Sequence, residues 1–179
     1  MSDTKPDAVR ELLVDSFTRV KDLVEGLTYR LSPGLATWRA DDEANSIAWL
    51  LWHLTRIQDD HVAGLADQEQ VWPTWRDQFG LPFGPWATGY RQSPAEAAEV
   101  RVPADLLAGY HADVHALTLR YIERICVGGG DAELARVVDE SWDPPVTASV
   151  RLVSVIGDTL QHLGQASYIK GLAQRAGVA

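Results

Sequence analysis

The sequence predicts an all-α fold: a four-helix bundle with one long crossover between its second and third helices. Four long segments repeat apolar side chains at three- and four-residue spacing. No two segments pair as credible strands. From about Asp67 to Val102 the helical pattern dissolves into aromatics broken by four prolines and three glycines. A loop of that length is unusual in a compact domain and is often functional, as a lid or a binding wall. The competing reading is a crossover that merely packs on the outside of the bundle.

The first helix is predicted over residues 6–28, with Val9, Leu12, Leu13, Phe17, Val20, Leu23, Val24 and Leu27 on its apolar face. Pro6 suits its first turn. A Ser-Pro-Gly break follows, from which Leu35 and Trp38 tuck back onto the core. Asn45 or Ser46 can cap the second helix, which runs to about Ala66. Its main stripe is Ile47, Leu50, Leu54, Ile57 and Leu65. Beside that stripe run Trp49, His53, Arg56 and Asp60, while His61 lies nearer the stripe's centre. The crossover is expected to hide short helices around Thr74–Phe79 and Pro94–Val100. Pro103 opens the third helix, to about Cys126, and Gly128, Gly129 and Gly130 end it. A short helix or turn at Asp131–Val138 and the loop Ser141–Pro145 lead to the last helix. That helix begins near Thr147 or Ser149 and is apolar almost all the way round from Val150 to Leu172.

The length, 179 residues, suits one domain over residues 1–179 and can bury a core without staples. A net charge of -9, with no basic stripe, sets nucleic acid and anionic membrane surfaces aside as partners. The single cysteine, Cys126, permits no intramolecular disulfide, and the polar N-terminus lacks the apolar core of a signal peptide. Both fit a cytoplasmic location. No apolar run approaches the length of a membrane span. Apolar residues wrap several helices, so a homodimer is left open, with no stripe that marks an interface.

The last helix carries Asp158 and His162, four residues apart and so on one face. A carboxylate and an imidazole on so apolar a helix are costly to bury unless paired, protonated or bound to a cation. Two ligands at that spacing, plus a third from a neighbouring helix, make a catalytic-type metal site with open positions. The third ligand is His53 or His61 of the second helix. Their eight-residue separation, ~12 Å of helix, prevents both from binding one ion. Stripe position favours His61; the neighbours Trp49, Arg56 and Asp60 favour His53. His111 and His115 on the third helix are a rival pair by spacing, read here as surface or boundary residues. The competing reading of Asp158 and His162 is a buried contact that fixes helix packing.

Two stretches, NSIAWLLWHLTRIQDDH in the second helix and DTLQHLGQ in the last, resemble the DinB-like superfamily. That group includes DinB-type proteins, bacillithiol and mycothiol transferases, and the N-terminal domain of mycothiol-dependent maleylpyruvate isomerase. The resemblance covers most of the chain. It implies a DinB-like four-helix bundle with a divalent metal, often zinc or nickel, on one histidine of the second helix and two ligands of the last. By that pattern the ligands are His53, Asp158 and His162. Many relatives have histidine at the middle position, and the isomerase branch has a carboxylate; the aspartate here departs from the commonest pattern and resembles the mycothiol branch. The isomerase's smaller second domain has no counterpart, which argues against that particular activity.

These residues lead to the expectation of a metal-dependent thiol S-transferase that joins a small-molecule thiol, mycothiol by resemblance, to a small electrophile. The metal would activate the thiol as a thiolate. Trp72, Trp75, Trp86 and Tyr90 of the crossover would form a wall for the thiol or the electrophile. Arg56 would pair with an anionic substrate group, or else with Asp59 or Asp60. Gln165 would orient His162 or a bound water. Cys126, at a helix C-terminus where the dipole disfavours a thiolate, is read as structural. A metal-dependent hydrolase and a non-catalytic ligand-binding bundle are the alternatives.

Overall fold

The computed structural model describes residues 8–127 and 130–178. Four helices form the bundle: α1 (Ala8–Thr28), α3 (Ile47–Ala66), α6 (Ala104–Val127) and α8 (Ala148–Arg175). Four shorter helices connect them: α2 (Pro33–Thr37), α4 (Trp72–Phe79), α5 (Pro94–Ala97) and α7 (Gly130–Ala135). The expected start at Pro6 and the stop signals at Gly128 and Gly129 lie outside the described residues. Ser46, not Asn45, caps α3: its hydroxyl accepts from the Trp49 N–H at 3.2 Å. Thr147 does the same for α8, accepting from the Val150 N–H at 3.4 Å. Asp67 closes α3 in the left-handed region, its N–H directed at the Ala63 and Gly64 carbonyls. The expectation of no strand pair is corrected. The chain turns back through Ser141–Pro145, so that β1 (Val137–Asp139) pairs antiparallel with β2 (Val146–Thr147). Both strands are short and rich in β-branched side chains, which suit a pleated edge.

The helices pack in a ring, α1 against α6, α6 against α3, α3 against α8 and α8 against α1. Side-chain contacts give their directions. His53 meets His162 and His61 meets Arg151, so α3 and α8 run antiparallel. Arg56 meets Tyr110, Gln58 meets Thr118 and Arg124 meets the Ala66 carbonyl, so α3 and α6 run parallel. Parallel neighbours cannot be joined by a tight turn. The chain must travel back the length of the bundle between them, which is why the 67–102 segment is long. Among the described residues no helix is long and apolar enough to cross a membrane.

The apolar interior falls into two clusters. One gathers Val20, Leu50, Leu54, Val114, Leu163 and Ile169 among others. The second holds Phe17, Val62, Leu117, Ile122, Leu152 and Val155. Several buried polar residues of α3, α6 and α8 fall about where one cluster gives way to the other: Gln58 and Asp59, His115 and Thr118, and Thr159. Gln58 Nε2 donates to Thr118 Oγ1 at 2.9 Å within this belt. His111 and His115 are corrected from boundary to buried residues, at 0% and 6% exposure. Helix α6 packs against α1 on one side and α3 on the other, so it buries a wider arc than one apolar stripe marks out.

Candidate metal centre

The α3/α8 seam brings His53, Asp158 and His162 together. One ligand atom from each lies within 4.8 Å of the others. The His53 and His162 rings stand 4.8 Å apart and nearly perpendicular. His162 Nε2 is 3.5 Å from Asp158 Oδ1. The other carboxylate oxygen, Oδ2, is buried with no hydrogen-bond partner. An orphaned carboxylate oxygen beside two imidazoles is an unfinished arrangement, since a buried charge needs a partner. Two imidazole nitrogens and a carboxylate oxygen are donors that suit a borderline divalent cation.

Each histidine is oriented by its second nitrogen. His53 Nδ1 lies 2.6 Å from the Thr88 carbonyl oxygen. A carbonyl can only accept, so Nδ1 carries the proton and Nε2 keeps its lone pair. His162 Nδ1 donates to Gln165 Oε1 at 2.8 Å, which again frees Nε2. Metal-ligating histidines are typically fixed in this way. Trp49 stacks on His53 at 4.6 Å and 16° and meets His162 edge-on at 6.3 Å. Its own N–H donates to Gln92 Oε1 at 2.8 Å, which fixes the indole between α3 and the crossover.

The electrostatics separate the two imidazoles. Burial pushes the His53 pKa down, against the opposing pull of the Thr88 hydrogen bond. The Asp158 contact raises His162, with desolvation opposing it. Burial would raise the Asp158 carboxyl, but His162, His53 and His61 together carry it below its ordinary value. A carboxylate ionised beside a neutral His53 is the protonation state a cation requires.

Thr88 and Gly89 were not singled out by sequence pattern. Gly89 has φ +95°, and a Cβ there would come 2.7 Å from His53 Nδ1, 3.1 Å from Trp52 and 3.2 Å from Trp49. Only glycine lets the crossover lie so close over the histidine. The available signal was a glycine within an aromatic loop, which identifies no partner by itself.

The structure distributes the other expected site residues widely. Gln165 sits against His162 as described. His61 stands apart from the three-residue cluster, 3.7 Å from Asp60 and 3.4 Å from Arg151. Arg56 is fully enclosed and pairs with Asp59. Its guanidinium donates to the Ala87 carbonyl, Gln70 and the Tyr110 hydroxyl, pairs with Asp59 at 3.4 Å and lies 5.0 Å over the Trp72 ring. Trp72 is likewise a core residue, its indole N–H donating to the Pro85 carbonyl. The burial of both residues has one cause: Asp59 draws the crossover's start inward by accepting from the Val71 and Trp72 backbone N–H groups at 2.9 and 2.8 Å. Trp75 packs over Gly109 of α6 and donates to Asp113. Trp86 and Tyr90 are the exposed aromatics of this segment, with Tyr90 next to the Gly89 contact.

The profile of the mycothiol S-transferase family, a DinB-like group, matches residues 8–174. A crystal structure described as the conserved protein of locus from Enterococcus faecalis is similar over 90% of this chain and 95% of its own. The two share 31% sequence identity, with a TM-score of 0.82. No curated protein matches the sequence.

Proposed function

The chain belongs to the mycothiol S-transferase family, and from that premise we propose that it is a metal-dependent thiol S-transferase. Mycothiol is the thiol, and the acceptor is a small electrophile. The observation that carries this reading is the convergence of His53, Asp158 and His162, with both imidazoles locked by Thr88 and Gln165 and one Asp158 oxygen left without a partner. Held there, a zinc or nickel ion would supply the Lewis acidity that makes a thiol react as a thiolate at neutral pH.

The chain's own groups set the conditions for that chemistry. The ionised Asp158 would bring one negative charge to a cation held there, and the free Nε2 atoms of His53 and His162 would add neutral donors once His162 gives up its proton in favour of the cation. Three protein ligands leave positions open for an incoming group. Trp49 and the Thr88–Gly89 backbone wall off one side of His53, so approach is from the α3/α8 seam, where the Asp158 side chain is 36% exposed. Gln165 holds the His162 ring through Nδ1 and thereby positions Nε2.

The test is to assay the purified chain with a generic alkylating electrophile and a panel of thiols, before and after chelation. The expected result is thiol-dependent loss of the electrophile, fastest with mycothiol, abolished by chelation and restored by metal. Consumption of substrate without added thiol would assign the same centre to hydrolysis. Ligand binding that survives His162→Ala, with no turnover in the wild type, would assign the bundle to binding alone.

A further inference from the structure

Helix α8 differs from its neighbours in what it turns to solvent. The exposed residues of α1 include Asp15, Arg19 and Asp22, and those of α6 include Asp113, Arg120 and Glu123. Between Val150 and Gly171, no exposed residue of α8 carries a charge. The charged side chains of that stretch are matched within the chain: Arg151 meets Asp139, Asp158 meets His162 and Lys170 donates to the Leu27 carbonyl. What α8 presents instead is Val150, Val153, Leu160 and Tyr168, of which Val153 and Tyr168 are 67% and 66% exposed. The adjoining flank of α1 is apolar too. Leu23 and Gly26 of α1 share a groove with Ser167 and Gly171 of α8. Exposed Leu12, about three turns before Leu23, lies on the same flank.

An uncharged apolar face bordered by charged residues has the composition of an interface centre and its rim. Its occupant follows from charge and from pattern. The chain carries a net charge of -9, so two copies repel over most of their surface and approach most readily where charge is absent. A cationic partner would gain nothing from this face and would be drawn to the acidic surface instead. The order of residues along α8 is also self-complementary. Val153 and Tyr168 lie equally far on either side of the midpoint between Leu160 and Gln161, and so do Gly157 and Gly164. In an antiparallel pair of α8 helices related by a two-fold axis at that midpoint, Val153 meets Tyr168 of the second copy and Gly157 meets its Gly164. A Cβ at either glycine would meet nothing within 4 Å, so the two backbones can come close where the axis passes.

We infer that the outer face of α8, with the Leu12–Leu23 flank of α1, is the interface of a two-fold homodimer in which the two α8 helices run antiparallel. The face is ~32 Å long from Val150 to Gly171 and ~20 Å wide across two helices. That is about 600 Å² on each copy and about 1,200 Å² for the pair, the size at which specific, stable interfaces begin. Leu160 stands at the centre, between the hollows left by Gly157 and Gly164. Asp15 and Arg19, paired at 2.6 Å, stand at the rim on α1. Asp158 and His162 lie on the side of α8 turned to α3, so pairing leaves the approach to them open.

The test uses the full chain. Sedimentation equilibrium of the wild type at micromolar concentration should give twice the 19.7 kDa mass of one chain. Val153→Glu and Leu160→Glu each place a carboxylate on the face, at positions exposed in a single copy, so neither presses on the fold. The expected result in each is self-association weaker by about a hundredfold or more, because two-fold symmetry counts every substitution twice. Helical circular dichroism stays at the wild-type value. Trp86→Glu, which alters an exposed aromatic of the crossover, should stay dimeric. The geometry has its own readout in a Cys126→Ser background. Leu160 lies within one residue of the two-fold axis, so Leu160→Cys should give a disulfide-linked dimer on oxidation. Val150→Cys, near the end of the face, should not. A monomeric wild type overturns the inference, as does a dimer that survives both glutamate substitutions or a Leu160→Cys variant that fails to cross-link. Binding of a monomeric wild type to neutral phosphatidylcholine vesicles also overturns it, because it assigns the face to lipid.

Discussion

Environment divides the histidines of this chain into different chemical groups. His53 and His162 each give one nitrogen to a fixed acceptor and keep the other free, as a ligand requires. His111 has neither nitrogen paired and is completely enclosed, and burial pushes its pKa down to about 3. The sign of its effect on stability follows. Below about pH 6.5 the unfolded chain takes up a proton at this position that the folded chain refuses until about pH 3. The neutral folded form is therefore fully favoured above pH 6.5, and stability falls as the pH drops from there. The slope from this one group is about 1.4 kcal/mol per pH unit. Urea unfolding between pH 6 and pH 4 should show a pH slope shallower by about one proton, ~1.4 kcal/mol per pH unit, in His111→Leu than in the wild type; equal slopes would contradict it. The sequence showed His111 and His115 as off-stripe residues, and off-stripe positions are buried when a helix has two packed neighbours. It also left His53 and His61 unresolved. A stripe gives the face of a helix but not the residue across the seam; stripe position and neighbours pointed to different histidines, and only the family resemblance decided for His53.

The elements that matter most to the site are α3, α8 and the crossover between α3 and α6. The four bundle helices were legible because each repeats an apolar face over many turns, and their ends matched caps such as Ser46 and Thr147. The crossover was legible only as a region without period. Its working contact, the Thr88 carbonyl on His53, is a backbone group that any residue supplies, so no side-chain pattern announces it. Gly89→Ala should strain a positive-φ position and push Cβ against His53. The expected cost is about 1–3 kcal/mol of stability, with weaker metal retention. Gly84→Ala in the same segment meets nothing within 4 Å and serves as the control. Thermal unfolding and metal titration of the two variants should diverge; equal behaviour would remove the crossover from the site. The anchor of the same segment is Asp59, which accepts from Val71, Trp72 and Tyr110 and pairs with Arg56. Asp59→Ala leaves the Arg56 charge buried without its carboxylate, at an expected cost of about 3–5 kcal/mol. Denaturant unfolding checks this, and a loss below 1 kcal/mol would contradict the buried-pair assignment.

At the scale of the whole molecule, the parallel course of α3 and α6 accounts for the long return segment. The antiparallel course of α3 and α8 creates the seam on which the candidate centre lies. Helix number and order could be read from periodicity, but the ring order of the helices could not. That order depends on which faces meet, and α8, apolar on most sides, gives no single face: Val153 and Tyr168 remain exposed while Leu152, Val155 and Leu163 are buried. Family membership fixes the company this bundle keeps, whereas the chemistry proposed for it depends on His53, Asp158 and His162 holding a cation. The most direct measurement is elemental analysis of unsupplemented protein at neutral pH, for the wild type and for His53→Ala, Asp158→Ala and His162→Ala. The expected result is about one equivalent of a divalent transition metal in the wild type, and its loss in each variant with helical content retained. A wild-type protein that retains no metal at neutral pH and takes up none on reconstitution would contradict the metal centre, and with it the thiol chemistry proposed for it.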